Sequence, residues 1–144
     1  MSLPRPRAGL VVRYAFLWSH QARKGDTEGR KNLPAAIVVA TRKELTGEVR
    51  VLVAPITHEP PADLAASVEI PATTAKALGL DGERQWIRTD ELNRFTWPGF
   101  DLRPLPGRPG VYDYGMLPEN LYAKLKAAIL DRQKALAVRI VPRD

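Results

Sequence analysis

The chain has 144 residues, enough for one domain around one hydrophobic core, and its 44% hydrophobic and 26% charged content sets it among globular rather than disordered sequences. It has no cysteine, which excludes disulfides, thiolate nucleophiles and cysteine-based zinc sites. Its net charge of +6 is unevenly spread: residues 1–50 hold ten Lys/Arg against four Asp/Glu, residues 51–117 six against nine, and residues 118–144 six against three.

Basic ends around an acidic middle suit an anionic partner, either nucleic acid or an acidic protein. With only two histidines, His20 and His58, a metal site would have to lean on carboxylates, so neither a metal nor a cofactor is expected. No segment approaches the roughly 18 uninterrupted apolar residues of a membrane span. Arg13 interrupts the apolar run behind the basic start, which removes the core of a signal peptide. The expectation is a cytoplasmic, single-domain protein without a membrane partner, its residues 1–8 a flexible tail.

In chain order, Gly9–Trp18 reads as a first strand, rich in β-branched and aromatic residues. Ser19–Leu33 is polar, carries Gly25 and Gly29 and four cations (Arg23, Lys24, Arg30, Lys31), and is expected to be a mobile basic loop. Pro34–Thr41 and Val49–Thr57 predict two strands of a hairpin, turned at Thr46-Gly47. Ser67–Ile70 predicts a short strand, and Pro71–Leu78 a short helix stopped by Gly79. Gln85–Thr89 and Asn93–Trp97 show the period of two expected of strands. Residues 98–110, with four prolines and three glycines, predict an extended loop. Tyr112–Met116 is a last strand candidate. Pro118 then opens an amphipathic C-terminal helix, to about residue 136, with Leu121, Leu125, Ala128, Ile129 and Leu136 along one face. The fold class is mainly β, a small barrel or sandwich with a short internal helix and a C-terminal one.

Several stretches, in order, resemble the PemK/MazF (Kid-like) toxins of bacterial toxin–antitoxin modules. Gly9-Leu-Val-Val stands where that family opens on Gly-Asp/Glu-Ile/Val-Trp, without the acid and the Trp. Leu33-Pro-Ala-Ala-Ile-Val-Val matches its Arg-Pro-Ala/Val-Val/Leu-Ile/Val strand. Val51-Leu-Val-Ala-Pro-Ile-Thr57 followed by Val68-Glu-Ile70 resembles its apolar strand ending Pro/Ala-Ile/Val-Thr and the Val-Glu-Ile beyond. Trp86-Ile-Arg88-Thr-Asp90 resembles the Val-Arg-Cys-Asp run of the PemK branch. The resemblance runs from about Gly9 to Trp97. It implies an SH3-like barrel, a homodimer, metal-independent endoribonuclease activity on single-stranded RNA, and an acidic antitoxin as partner.

Residue by residue, the resemblance makes Thr57 a contact to the scissile phosphate, Asp90 the general base and Arg88 the general acid. RNA cleavage through a 2′,3′-cyclic phosphate needs such a base for the 2′-hydroxyl and an acid for the leaving 5′-oxygen. Read without it, Thr57 caps the following turn, and Arg88 with Asp90 is an ion pair on one strand face. His20, in the basic loop, and His58, directly after Thr57, are candidate RNA contacts. Leu33 departs from the family's phosphate-binding Arg, and Arg30 and Lys31 are the cations placed to substitute for it. Asn93 and Arg94 are candidates for reading bases or phosphates, and Trp97 for stacking on a base. Three functions follow: an endoribonuclease toxin, a catalytically inactive barrel binding nucleic acid or protein, and a toxin directed at a protein target.

Overall fold

A computed structural model describes residues 3–26 and 31–144. Three long strands form its centre, β1 (Leu10–Phe16), β2 (Lys31–Arg42) and β3 (Val49–Thr57), paired in sequence order and antiparallel. The expected 34–57 hairpin is therefore present, but β2 begins earlier. Lys31, Asn32 and Leu33 pair with Phe16, Ala15 and Tyr14 of β1.

This corrects the reading of residues 19–33 as one mobile loop. Ser19–Arg23 forms a short helix, α1, and 31–33 belongs to a strand, because each finds partners that satisfy its backbone groups. Arg30 lies outside the described residues.

The remaining elements follow as β4 (Ser67–Glu69), α2 (Ala72–Ala77), β5 (Trp86–Arg88), β6 (Glu91–Thr96), β7 (Asp113–Met116), α3 (Glu119–Lys134) and β8 (Arg139–Pro142). Both outer edges of the central meander are shared between two partners. Along β3, Arg50–Val53 pair with β6, while Ile56 and Thr57 pair with β5. Along β1, Leu10–Val12 pair with β7, and beyond them the Ala15 N–H donates to the Asp101 carbonyl and the Arg103 N–H to that of Arg13. The Pro/Gly-rich 98–110 segment is thus a strap laid against β1. Dividing each edge in this way, with bulges in β2 and β7, lets the sheet curl into a half-barrel.

Alternation along the strands makes two cores, one on each face of the sheet. Val11, Ala36, Ala54 and Ile56 face the side covered by α2 and α3, where Leu121, Leu125 and Ile129 of α3 pack. Val12, Tyr14, Phe16, Ile37, Val51, Val53 and Phe95 fill the other, with Tyr14 stacked on Phe95 at 4.8 Å between centroids. Leu136 is no part of the helical face. α3 ends at Lys134, and Leu136, at φ +56° and 94% exposed, turns the chain out of the helix where a glycine would be usual. The turn delivers β8, which no feature of the sequence signalled, into parallel pairing with β6.

Candidate functional site

One end of the curled sheet, where β1 and β3 finish and β2 starts, opens into a cleft of about 1180 Å³. Thr57 and His58 come to it from the end of β3, Arg88 from β5, Lys31 and Leu33 from the start of β2, and His20 and Arg23 from α1. Arg13 of β1, Arg108 of the strap and Arg139 of β8 complete six Lys/Arg on its walls, against Glu59, Asp81 and Glu91. Arg23, Lys31 and Arg108 are exposed and form no ion pair with a described residue, so their charge is available to a ligand.

The acids are mostly engaged. Glu91, 5% exposed, accepts the Ser19 N–H at 2.8 Å and its hydroxyl at 2.7 Å, holding the first turn of α1. The Gln21 side chain takes the Trp18 N–H at 3.1 Å. These bonds satisfy donors that a helix start leaves open, which is why so short a helix persists. Trp18 meets Phe16 edge-on, and the Arg88 guanidinium lies 5.4 Å from the centre of its ring. Arg13 reaches from β1 to donate to the Tyr114 hydroxyl at 3.2 Å, Tyr114 being the residue bulged out of β7.

Arg88 and Asp90 form a closed pair. Two guanidinium N–H groups donate to the two Asp90 oxygens, both at 2.9 Å, and both side chains are largely shielded. Arg88 lines the cleft and Asp90 does not. The hydrogen bonds from Arg88 to Asp90 raise the Arg88 pKa further above its ordinary value. A guanidinium that holds its proton harder is a poorer acid and a more secure cation. As placed, Arg88 is suited to stabilising phosphate charge. Thr57 Oγ1 accepts the Glu59 N–H at 3.1 Å, the turn-capping arrangement, and keeps its own O–H to donate while lining the cleft.

The structure does not bring Asn93, Arg94 or Trp97 to this cleft. Asn93 is wholly buried and both ends of its amide bond to Leu17, so it is not free to read bases. Arg94 sits mid-strand between Leu52 and Pro142. Trp97 follows the far end of β6, about 20 Å from Glu91 at a strand's rise per residue, half-buried against the core that holds Tyr14 and Phe95 and stacked on Phe95. Leu33 is half-buried against the same core and contributes an apolar patch to the cleft.

Sequence reasoning missed Arg13, Arg108, Arg139, Ser19 and Glu91. Arg13 broke an otherwise apolar strand and was visible as an anomaly. Glu91 was hidden behind its neighbour Asp90, since only the fold decides which of two adjacent strand residues faces a cleft. No family model matches this chain, and no curated protein or solved structure shows significant similarity to it.

Proposed function

We propose that this chain is an SH3-like barrel of the PemK/MazF type whose cleft binds single-stranded RNA and cleaves it without a metal ion. One observation carries the reading. Thr57, Arg88, His58, His20 and Lys31, singled out from separate stretches of sequence, meet at one cleft walled by six cations. Such a wall suits a polyanion that threads past it, and Trp18 offers a half-exposed ring beside the cations for an unpaired base. Thr57 donates to the scissile phosphate and Arg88 stabilises its developing charge. A homodimer and an acidic antitoxin segment competing for the same cations belong to this reading, as does a cytoplasmic location.

The test is incubation of end-labelled, mixed-sequence single-stranded RNA with the protein in EDTA. Expected are fragments ending in 2′,3′-cyclic phosphate, with Arg88→Ala abolishing them. Intact RNA with salt-sensitive binding would replace this reading by a binding module without catalysis. Two observations favour that second reading: the closed Arg88–Asp90 pair, and Leu33 where the family carries Arg. Leu33→Arg separates them further, because it restores a phosphate ligand at the start of β2. An otherwise complete cleft then gains cleavage, and a cleft built only for binding gains affinity alone.

A further inference from the structure

At the mouth of the cleft three side chains of mixed chemistry converge from two segments. His58 follows β3, and Asp81 and Glu83 stand in the turn between α2 and β5. The His58 Nε2 lies 2.7 Å from Asp81 Oδ2 and 3.8 Å from Glu83 Oε2, and one donor atom from each of the three falls within 4.8 Å of the others. An ion about 2.1 Å from each of three such donors in a tetrahedral shell holds them about 3.4 Å apart. The two observed separations straddle that spacing, so small side-chain rotations reach it.

The imidazole sets this group apart from an exposed acidic patch. It pairs a nitrogen donor with two carboxylates, a set that suits a borderline transition-metal dication better than magnesium or calcium. Asp81 is also held from behind. Gln85, 4% exposed, points its amide at the Asp81 carboxylate and main-chain carbonyl, both at 3.3 Å, and the Glu83 N–H donates to the same carboxylate at 3.0 Å. Outer partners of this kind fix a ligand's direction. The solvent side is open, which leaves coordination positions for water or a phosphate oxygen.

We infer that His58, Asp81 and Glu83 bind one divalent transition-metal ion, with Zn²⁺ the preferred probe, at the rim of the cleft. The site stands apart from the cleavage chemistry proposed above, which is tested in EDTA. Its role is to place positive charge beside an incoming anion. Binding releases His58 from its pairing with Asp81 and exchanges a protein–protein contact for a shared ligand.

Calorimetric titration of untagged protein with Zn²⁺, Mn²⁺ and Mg²⁺, without RNA, tests this directly. Expected is a 1:1 isotherm for Zn²⁺, weaker binding of Mn²⁺, none of Mg²⁺, and a thermal midpoint that rises with Zn²⁺ concentration. His58→Ala and Asp81→Asn should abolish the isotherm, and Gln85→Leu should weaken it by roughly tenfold. His20→Ala should leave it intact. Circular dichroism of each variant separates a lost site from a lost fold. No saturable Zn²⁺ binding, or binding that survives His58→Ala in a folded protein, overturns the inference.

Discussion

Asn93 and Leu17, 76 positions apart, exchange two hydrogen bonds: the Asn93 amide donates to the Leu17 carbonyl at 2.7 Å and accepts the Leu17 N–H at 2.9 Å. The buried amide acts as a piece of strand for a residue that has run past its own sheet partners. Two residues earlier on β6, the Glu91 carboxylate accepts both the N–H and the hydroxyl of Ser19. Together they hold Leu17–Ser19 against β6 and so set Trp18 and α1 over the cleft. A residue first read as a contact to RNA is instead buried, and its bonds to Leu17 help position cleft residues such as Trp18.

Asn93→Ala strips both partners from a buried peptide unit. It should destabilise the fold by about 2–4 kcal/mol, the combined cost of leaving two buried polar groups unpaired. Urea denaturation checks this. RNA affinity measured under native conditions should fall as well, because α1 loses its anchor. Full stability in the variant would show that the Leu17 backbone finds other partners.

Asp90→Asn replaces a carboxylate that neutralises Arg88 with an amide that does not. Binding of single-stranded RNA should tighten, because the Arg88 charge is released to the cleft. Cleavage, if Asp90 takes the 2′-hydroxyl proton, should fall by about 10²–10⁴. Fluorescence anisotropy and product gels measure the two effects separately. Weaker binding would mean that Arg88 contributes only while the pair holds it in place.

Changing Arg23, Lys31 and Arg108 together to Ser removes three cleft cations that make no ion pair with a described residue. Each phosphate contact to a single strand contributes about 0.7 to the slope of log affinity against log salt. The triple variant should therefore lose about 2 from that slope. An unchanged slope would place the RNA on another face of the protein.

The strands and α3 were legible because period-two and helical patterns are local properties of the sequence. The hairpin of Pro34–Thr57 and the face formed by Leu121, Leu125 and Ile129 needed no tertiary information. α1 was not legible, since a five-residue helix in a Gly-flanked basic stretch exists through Glu91, far along the chain. β8 was missed because Arg139–Pro142 is short, mixed in character and paired in parallel with a strand 48 positions away. At the site, Thr57, His58 and Arg88 were legible through their strand ends and the family resemblance. Asn93, Arg94 and Trp97 lie away from the cleft, which the sequence did not show, because adjacency on one strand says nothing of which end, or which face, meets it.

Tyr14 is the buried acid whose ionisation should govern alkaline stability. Burial above all, and then the negative charge of Asp101, push its pKa well above the ordinary 10.0. The folded state thus holds this proton more tightly than the unfolded chain does. The stability linked to it is complete below pH about 10 and is lost as pH rises from there toward the raised value. Tyr14→Phe should remove that component of the alkaline decline while costing little at neutral pH. Urea midpoints from pH 8 to 11 should show the two proteins close together at pH 8 and the wild type falling below the variant above pH 10. Parallel curves over the whole range would count against the assignment.

The parallel pairing of β6 with β8 also imposes an order of events during synthesis. β6 can dock on β3 as soon as the chain reaches residue 96, but its other edge waits for residues 139–142. Through that interval a nascent chain presents an unpaired strand edge, the kind of surface that invites strand exchange with another copy. A chain cut short before Arg139 keeps that edge open permanently. Its insolubility, ahead of the loss of Arg139 from the cleft wall, would be the first symptom of truncation.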